Sequence, residues 1–426
     1  MNIYSINPAN GQRIKSYRLH TNEEVQSILA LSVNAQQEWK STSFTSRADC
    51  LYQLASHLRD NHLLLASLIT SEMGKLLTEA KAEIEKCAWA CEYYAEHGAN
   101  CLQDEIIETD ASNSRIVYQP LGTILAVMPW NFPFWQVIRC AVPAIMAGNS
   151  ILLKHASNVP GCGLALQQLF LDSGFPENLF STLLISADQV EAVIADDRVH
   201  GVSLTGSEQA GRAVAASAGK YLKKSLLELG GSDAFVVLAD ADLDTAVSAG
   251  MTSRFLNAGQ SCIAAKRFVV VESIADQFVD KLLVAINKLQ PGDPLDESTT
   301  LAPMARDDLC LELHRQVIGS VDMGVVKLTG GERVSRSGWY YKPTLLDHVK
   351  PGMPVYEQET FGPVAVVVRV RDEQQALQVA NDSRFGLGAS VWTKNSELAE
   401  WFVENIQAGC LFVNGMVKSD PRLPFG

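Results

Sequence analysis

The sequence predicts an α/β protein whose sheets are parallel and covered by helices on both faces. Two observations carry this. Short runs rich in Val, Ile and Leu recur along the chain, and segments with apolar residues at helical intervals lie between most of them. Alternation of that kind builds parallel sheets sandwiched between helix layers.

The elements follow in order. Glu23 to Trp39, Ser46 to Ala66 and Leu76 to Tyr94 each show helical spacing, so residues 22 to 98 read as helices. From Arg115 to Met128 the chain turns to Val, Ile, Leu and Tyr, interrupted at Pro120-Leu121-Gly122, and reads as strands. Ser150 to Lys154 is a short strand after the turn signal Gly148-Asn149, and helical spacing returns over 160 to 173. Thr182 to Ile185, Gly201 to Leu204, Ala234 to Leu238, Phe268 to Val271 and Val364 to Val370 read as further strands. With 426 residues, the chain has length for two or three domains, each with its own core. No repeat, low-complexity tract or long linker marks their boundaries.

Composition narrows the function. Apolar residues make up 47% and charged residues 19%, as in ordinary globular proteins. The formal net charge of −13, with no basic cluster, argues against nucleic acid and anionic membrane surfaces as partners. The nine cysteines are scattered and include no Cys-x-x-Cys, so no metal site is expected. Cys87 and Cys91, one helical turn apart, read as packed thiols. Unpaired thiols in a long chain point to a reducing compartment. The start, Met1-Asn2-Ile3-Tyr4-Ser5, lacks a basic and then apolar leader pattern, and no apolar run reaches the ~18 residues of a membrane span. The expected location is cytoplasmic.

Four segments carry chemistry. Asn257-Ala258-Gly259-Gln260-Ser261-Cys262 places a thiol in a loop of small residues, where a substrate can reach the nucleophile. Glu228, in Leu226-Leu227-Glu228-Leu229-Gly230-Gly231, is a carboxylate among leucines, beside glycines that permit unusual backbone angles. Apolar surroundings raise a carboxyl pKa, which suits a general base. In Pro129-Trp130-Asn131-Phe132-Pro133, prolines and aromatics hold one amide that can donate to a developing oxyanion. Leu204-Thr205-Gly206-Ser207-Glu208-Gln209-Ala210-Gly211 follows a strand and opens a helix, whose N-terminus favours phosphate. In open α/β sheets such motifs gather beyond the carboxyl ends of strands. Taken singly, each also reads as ordinary structure: a loop cysteine, a surface glutamate, a stiff turn, a helix start.

Their order removes the ambiguity. Pro-Trp-Asn-Phe-Pro, Gly-Ser-x-x-x-Gly, Leu-Glu-Leu-Gly-Gly, Asn-Ala-Gly-Gln-x-Cys and then Glu359-Thr360-Phe361-Gly362-Pro363 resemble the NAD(P)-dependent aldehyde dehydrogenase superfamily along the whole chain. The resemblance implies an aldehyde dehydrogenase-like fold: two doubly wound α/β domains and a small β arm for oligomerisation. The cofactor-binding domain would comprise residues 1–105 and 121–230, with 106–120 part of the arm and 231–426 the catalytic domain. It implies that Cys262 attacks the aldehyde, that the Asn131 side chain and the Cys262 N–H hold the oxyanion, and that Glu228 activates the deacylating water. It also implies a cofactor, NAD or NADP, contacted by Trp130, Lys154, Ser157, Gly206, Ser207, Gly211, Glu359 and Phe361. A homodimer or homotetramer is implied as well. The resemblance implies a further strand of the arm beyond the final Leu423-Pro424-Phe425-Gly426, so the sequence is read as either truncated there or built without that strand.

Two positions bear on specificity. Many NAD-preferring relatives carry a glutamate where this chain has Ser157, and that carboxylate would repel the 2′-phosphate of NADP. Serine beside Lys154 would accept it, so NADP is expected to serve as a substantial alternative to NAD. Arg139, with Trp135 on the same helix, matches an arginine of bacterial succinate-semialdehyde dehydrogenases, where a guanidinium suits a carboxylate at the far end of the aldehyde. Trp135-Gln136, Leu153-Lys154-His155, Leu229-Gly230-Gly231-Ser232-Asp233, Ala264-Ala265-Lys266-Arg267 and Pro303-Met304-Ala305-Arg306 resemble the same group. A second arginine found in some such enzymes is replaced by Leu256; Arg254 and Arg422 are the other candidates for that charge. Pairing of Arg139 with a protein acid, another aliphatic aldehyde as substrate, and a cysteine esterase remain open at this level.

Overall fold

The chain opens on an antiparallel hairpin, β1 (Asn2–Ile6) against β2 (Arg13–Arg18). The computed structural model describes residues 2–425; Met1 and Gly426, which end the terminal stretches read above, lie outside the described residues. Four helices follow: α1 (Asn22–Trp39), α2 (Phe44–Asp60), α3 (His62–Met73) and α4 (Leu77–Cys101). Thr21 caps α1 through a capping box with Glu24, and Ser43 caps α2 by accepting from the Ser46 N–H. The run Ser46 to Ala66, which reads as one helix, is broken at Asn61, where φ −102° and ψ 11° leave the helical region. Apolar residues run on through the break, with Leu65, Ala66 and Ile69 buried in α3 as Leu51, Leu54 and Leu58 are in α2, so spacing alone does not reveal it. A two-stranded antiparallel ribbon, β3 (Glu105–Ile106) with β4 (Arg115–Ile116), comes next.

The apolar runs of the first half then form a five-stranded parallel sheet: β5 (Thr123–Met128), β6 (Ser150–His155), β7 (Phe180–Thr182), β8 (Val199–Thr205) and β9 (Lys224–Glu228), in spatial order β7-β6-β5-β8-β9. The connecting helices are α5 (Trp135–Met146), α6 (Pro160–Asp172), α7 (Val190–Ala195) and α8 (Glu208–Lys220). Right-handed crossovers that run outward from β5 in one direction and then from β8 in the other put their helices on opposite faces. Thr182 to Ile185 ends its strand earlier than its composition suggests; Leu183 still donates to the Leu153 carbonyl at 2.7 Å, after which the chain leaves the sheet.

The second half builds a seven-stranded sheet. Its strands are β10 (Ala234–Val237), β11 (Arg267–Val271), β12 (Val326–Thr329), β13 (Thr344–Asp347), β14 (Val364–Val370), β15 (Gly388–Trp392) and β16 (Cys410–Val413). The order is β12-β13-β14-β11-β10-β15-β16, parallel apart from the edge strand β12. Helices α9 (Leu243–Phe255), α10 (Glu272–Ile286), α11 (Asp307–Asp322), α12 (Pro354–Glu357), α13 (Glu373–Asn381) and α14 (Ser396–Asn405) complete it. Its core centres on Phe235, Phe268, Phe278 and Trp392, packed ring to ring. Each such ring contributes about 1.5–3 kcal/mol by burial.

Contacts divide the chain into two compact units. One holds the residues up to Ile6, Arg13–Glu72 and Ala80–Glu228; the other holds Asn7–Gln12, Met73–Glu79 and the chain from Leu229 onward. None of the nine cysteines is in a disulfide. Among the described residues no helix is long and apolar enough to cross a membrane.

Candidate active site

In the first unit the motifs gather along one edge of the sheet, because each lies just beyond the carboxyl end of a parallel strand. Trp130 and Asn131 follow β5, Ser157 follows β6, Gly206 and Ser207 follow β8, and Glu228 ends β9. Lys154 is the penultimate residue of β6. The strand order reverses between β5 and β8, the position where open α/β sheets leave a crevice.

The Asn131 loop is held from two sides. Glu83, buried on α4, accepts from the backbone N–H groups of Phe134 at 2.9 Å and Trp135 at 3.0 Å, the first turn of α5. A carboxylate there satisfies orphan donors and complements the helix dipole. His155 Nε2 donates to the Pro133 carbonyl at 2.9 Å, while its Nδ1 accepts from the Ala156 N–H at 3.0 Å. Burial lowers the pKa of His155 to about 4, so the ring stays neutral. Asn131 itself is 4% exposed. Trp135 is also buried, and the Lys86 ammonium sits 4.1 Å from its ring centre. Neither Glu83 nor His155 stands out in the sequence as a scaffold for this loop; their partners lie 51 and 22 residues away. Glu83→Ala removes two charge-assisted bonds and is expected to cost about 3 kcal/mol. Urea unfolding of that variant beside Glu83→Gln, which keeps an acceptor, checks this.

Ser207 is the N-cap of α8, accepting from the Ala210 N–H at 3.3 Å, with Gly206 just before it and Gly211 buried in the first turns. The Gly206 N–H donates to the Glu228 carbonyl at 2.9 Å, tying this turn to the end of β9. Burial raises the Glu228 pKa and the Arg139 guanidinium opposes the rise. Arg139 Nη2 lies 3.7 Å from Glu228 Oε2 and donates to Thr205 Oγ1 at 3.3 Å. Arg139 therefore does engage a protein acid, and that acid is the candidate base.

In the second unit the expected placement fails. Gly230-Gly231, Cys262 and Glu359-Phe361 precede β10, β11 and β14, at the amino ends of these strands. The Cys262 loop is instead positioned by a strained turn after α9. Asn257, Ala258 and Gly259 all adopt left-handed backbone, with φ of 55°, 53° and 74°. Ala258 is costly there, and its neighbours hold it in place. Glu79 accepts from the Asn257 N–H at 3.0 Å, and Gln260 Oε1 accepts from the Ala305 N–H at 2.9 Å. Arg254 Nη2 donates to the carbonyls of Gly259 at 2.7 Å and Gly362 at 2.8 Å. Arg254 is fully buried, so it braces the loop and does not serve as a second charge for substrate. Arg422 is engaged with Asp420, Nη2 to Oδ2 at 2.6 Å.

Two motifs interlock through Gly230 and Gly231. Neither has a positive φ; their glycines answer close approach. A Cβ on Gly230 would collide with the Glu359 carboxylate, and one on Gly231 would lie 2.5 Å from the Cys262 carbonyl. The Gly231 N–H donates to Glu359 Oε1 at 3.1 Å. Lys266, 1% exposed, donates to the same oxygen at 2.9 Å and to the Cys262 carbonyl at 2.6 Å, and lies 5.8 Å from the Phe361 ring centre. The sequence marks Lys266 only as part of a family stretch, yet it joins the thiol loop to Glu359. Cys262 is partly exposed.

A partly exposed thiol on a braced loop, a buried-amide loop, and a carboxylate of raised pKa are the kinds of group that acyl transfer through a thioester needs, and a helix start such as that at Ser207 favours an anion. The profile of the aldehyde dehydrogenase family matches residues 1–426. This chain belongs to the aldehyde dehydrogenase family. Within it, the chain is 48% identical over 426 residues to a probable NADP-dependent succinate-semialdehyde dehydrogenase of Synechocystis sp., covering 100% of this chain and 94% of the relative. An NAD(P)-dependent succinate semialdehyde dehydrogenase of Escherichia coli is 44% identical over 422 residues, 99% of this chain and 91% of that one. The succinic semialdehyde dehydrogenase of Streptococcus pyogenes, solved with NADP, superimposes with a TM-score of 0.97 at 37% identity, covering 100% of this chain and 93% of that one. The fold is thus that of aldehyde dehydrogenases.

Proposed function

We propose that this aldehyde dehydrogenase oxidises succinic semialdehyde to succinate with NADP, and with NAD as an alternative. The observation that carries the substrate is Arg139, a guanidinium placed beside the general base at the sheet edge where the cofactor turn also lies. The names of the relatives support the same substrate and cofactor. In this reading Cys262 Sγ bonds to the aldehyde carbon, and the oxyanion is held by the Asn131 side chain and the Cys262 N–H. The cofactor, when bound, supplies the hydride acceptor. Glu228 then takes a proton from water as the water oxygen bonds to the thioester carbon, and the Cys262 thiolate leaves. The first unit carries Asn131, Glu228 and the residues assigned to the cofactor phosphates, and the second carries the thiol together with Glu359 and Phe361.

The residues fit NADP by their chemistry. Lys154 offers a cation and Ser157, exposed at the end of β6, offers a hydroxyl where a carboxylate would repel the 2′-phosphate. Gly206 and Ser207 present a helix N-terminus to the pyrophosphate, and Glu359 and Phe361 are assigned to the nicotinamide riboside. Ser157→Glu is expected to raise the KM for NADP by roughly a hundredfold, about 2.7 kcal/mol, while changing that for NAD little. Steady-state assays with both cofactors check it.

The substrate is tested by kcat/KM for succinic semialdehyde against butanal, an uncharged aldehyde of equal length, in the wild type and in Arg139→Ala. A strong preference that disappears in the variant supports the assignment. Equal rates for the two aldehydes in the wild type would remove succinic semialdehyde as the substrate. The β3–β4 ribbon exposes Ile106, Ile107, Ile116, Val117 and Tyr118, which supports assembly into a homo-oligomer through this arm. Nine cysteines without a disulfide support a cytoplasmic location.

A further inference from the structure

Arg139 and Glu228 come from different elements and meet by register. Thr205 and Glu228 are direct partners on the parallel strands β8 and β9, so their side chains stand next to each other at the same sheet edge. Arg139, in the middle of α5, reaches both with one nitrogen: Nη2 donates to Thr205 Oγ1 at 3.3 Å and stands 3.7 Å from Glu228 Oε2. The second distance exceeds a hydrogen bond, so the pair is held by charge alone. Both side chains are sheltered, at 14% and 16% exposure, where charge is screened less than at an open surface. An incoming carboxylate offers the guanidinium a two-pronged, short contact that Glu228, at 3.7 Å, does not make.

We propose that Arg139 is a shared cation: it pairs with Glu228 until the carboxylate of the aldehyde takes it, so that the charged end of the substrate releases the base for deacylation. This rests on the substrate assignment above and adds a second role to the anchor. The release acts on basicity. Burial raises the Glu228 pKa, and the nearby Arg139 charge holds it down. The other titratable groups on the elements packed around β9 are Lys224 on the strand itself, His200 on β8, and Glu208, Arg212 and Lys220 on α8; Cys140 neighbours Arg139 on α5. Among all of these, Arg139 is the charge that acts on Glu228. Once the substrate carboxylate neutralises it, burial prevails, and the carboxylate becomes a stronger base near neutral pH. An uncharged aldehyde leaves the Arg139–Glu228 pair intact and meets a weaker base. Selectivity for acidic aldehydes would then arise in deacylation as well as in binding.

The test is the pH dependence of deacylation, followed in single turnovers of the full chain with NADP, for succinic semialdehyde and for butanal. In the wild type the acidic limb for succinic semialdehyde is expected about one pH unit above that for butanal. In Arg139→Gln the butanal limb should move up to the same position. In Arg139→Lys, which keeps the charge and guards against a folding defect, it should stay near the wild-type value. Coincident limbs for the two aldehydes in the wild type, or a butanal limb unmoved in Arg139→Gln, overturn the exchange alone. Two other results overturn it together with the reading beneath it, and can be told apart. If Arg139→Gln keeps the preference for succinic semialdehyde, the anchor fails. If Glu228→Gln keeps the limb, the base fails.

Discussion

Cys262→Ala will lower aldehyde oxidation by roughly four orders of magnitude or more, with binding of NADP unchanged. No other thiol can replace it. Cys87, Cys91, Cys162 and Cys310 are buried, and the Cys262 loop owes its shape to a run of left-handed backbone that no other cysteine shares. The nucleophile contributes through a covalent step, so its removal leaves only binding and oxyanion contacts. The residues assigned to the cofactor phosphates belong to the other unit and should be unaffected. Stopped-flow formation of reduced cofactor and a fluorescence titration with NADP check the two halves. Residual oxidation within tenfold of wild type would remove Cys262 from its role, and so would loss of cofactor binding from the assigned division of labour.

The second large effect is Glu228→Gln. The amide cannot take the proton of water, so the acyl-enzyme forms and then breaks down slowly. Steady-state turnover should fall by roughly 10²–10⁴-fold. A burst of reduced cofactor near one equivalent should precede it, because hydride transfer does not need the base. The wild type should show pH dependence from the same group. Its pKa is raised by burial, so the active, deprotonated form is lost at a higher pH than for an ordinary glutamate, and activity declines as pH falls through the raised value. Glu228→Gln should lack that limb.

Of the buried strands, Thr344–Asp347 and Gly388–Trp392 escaped the sequence reading because Thr, Asp, Gly and Ser interrupt their apolar runs, whereas runs apolar nearly throughout, as at Val364–Val370, were legible. Edge elements were not. Lys224–Glu228 forms β9 at the rim of its sheet with the first three residues exposed, and so reads as an amphipathic segment. The hairpin of Asn2–Ile6 and Arg13–Arg18 is mostly polar and exposed, which hides its strand character. The placement of Cys262 and Glu359 at amino ends of strands was also missed, because the carboxyl-end rule describes loops that leave strands, and these loops leave a helix or a short turn.

The candidate site divides along the same line. Residues that would touch substrate or cofactor lie in short motifs whose order reveals them. Those that hold the motifs do not. Glu83, His155, Arg254 and Lys266 act through partners distant in sequence, and each would read alone as a surface charge or a core histidine. Their function is visible only when burial and hydrogen bonds are known: a buried charge is retained where it satisfies backbone groups that would otherwise be orphaned. The glycines of Leu-Glu-Leu-Gly-Gly teach the same lesson. Their purpose is to admit the Glu359 carboxylate and the Cys262 carbonyl, both far along the chain.

The most direct test of the account is to trap the acyl-enzyme. Glu228→Gln would be mixed with succinic semialdehyde and NADP, quenched in acid during the burst, digested and mapped by mass spectrometry. One succinyl group is expected, borne on the peptide that contains Cys262 and removed by hydroxylamine. A burst of reduced cofactor with no acyl group on that peptide, or with the group on another residue, would contradict oxidation through a Cys262 thioester.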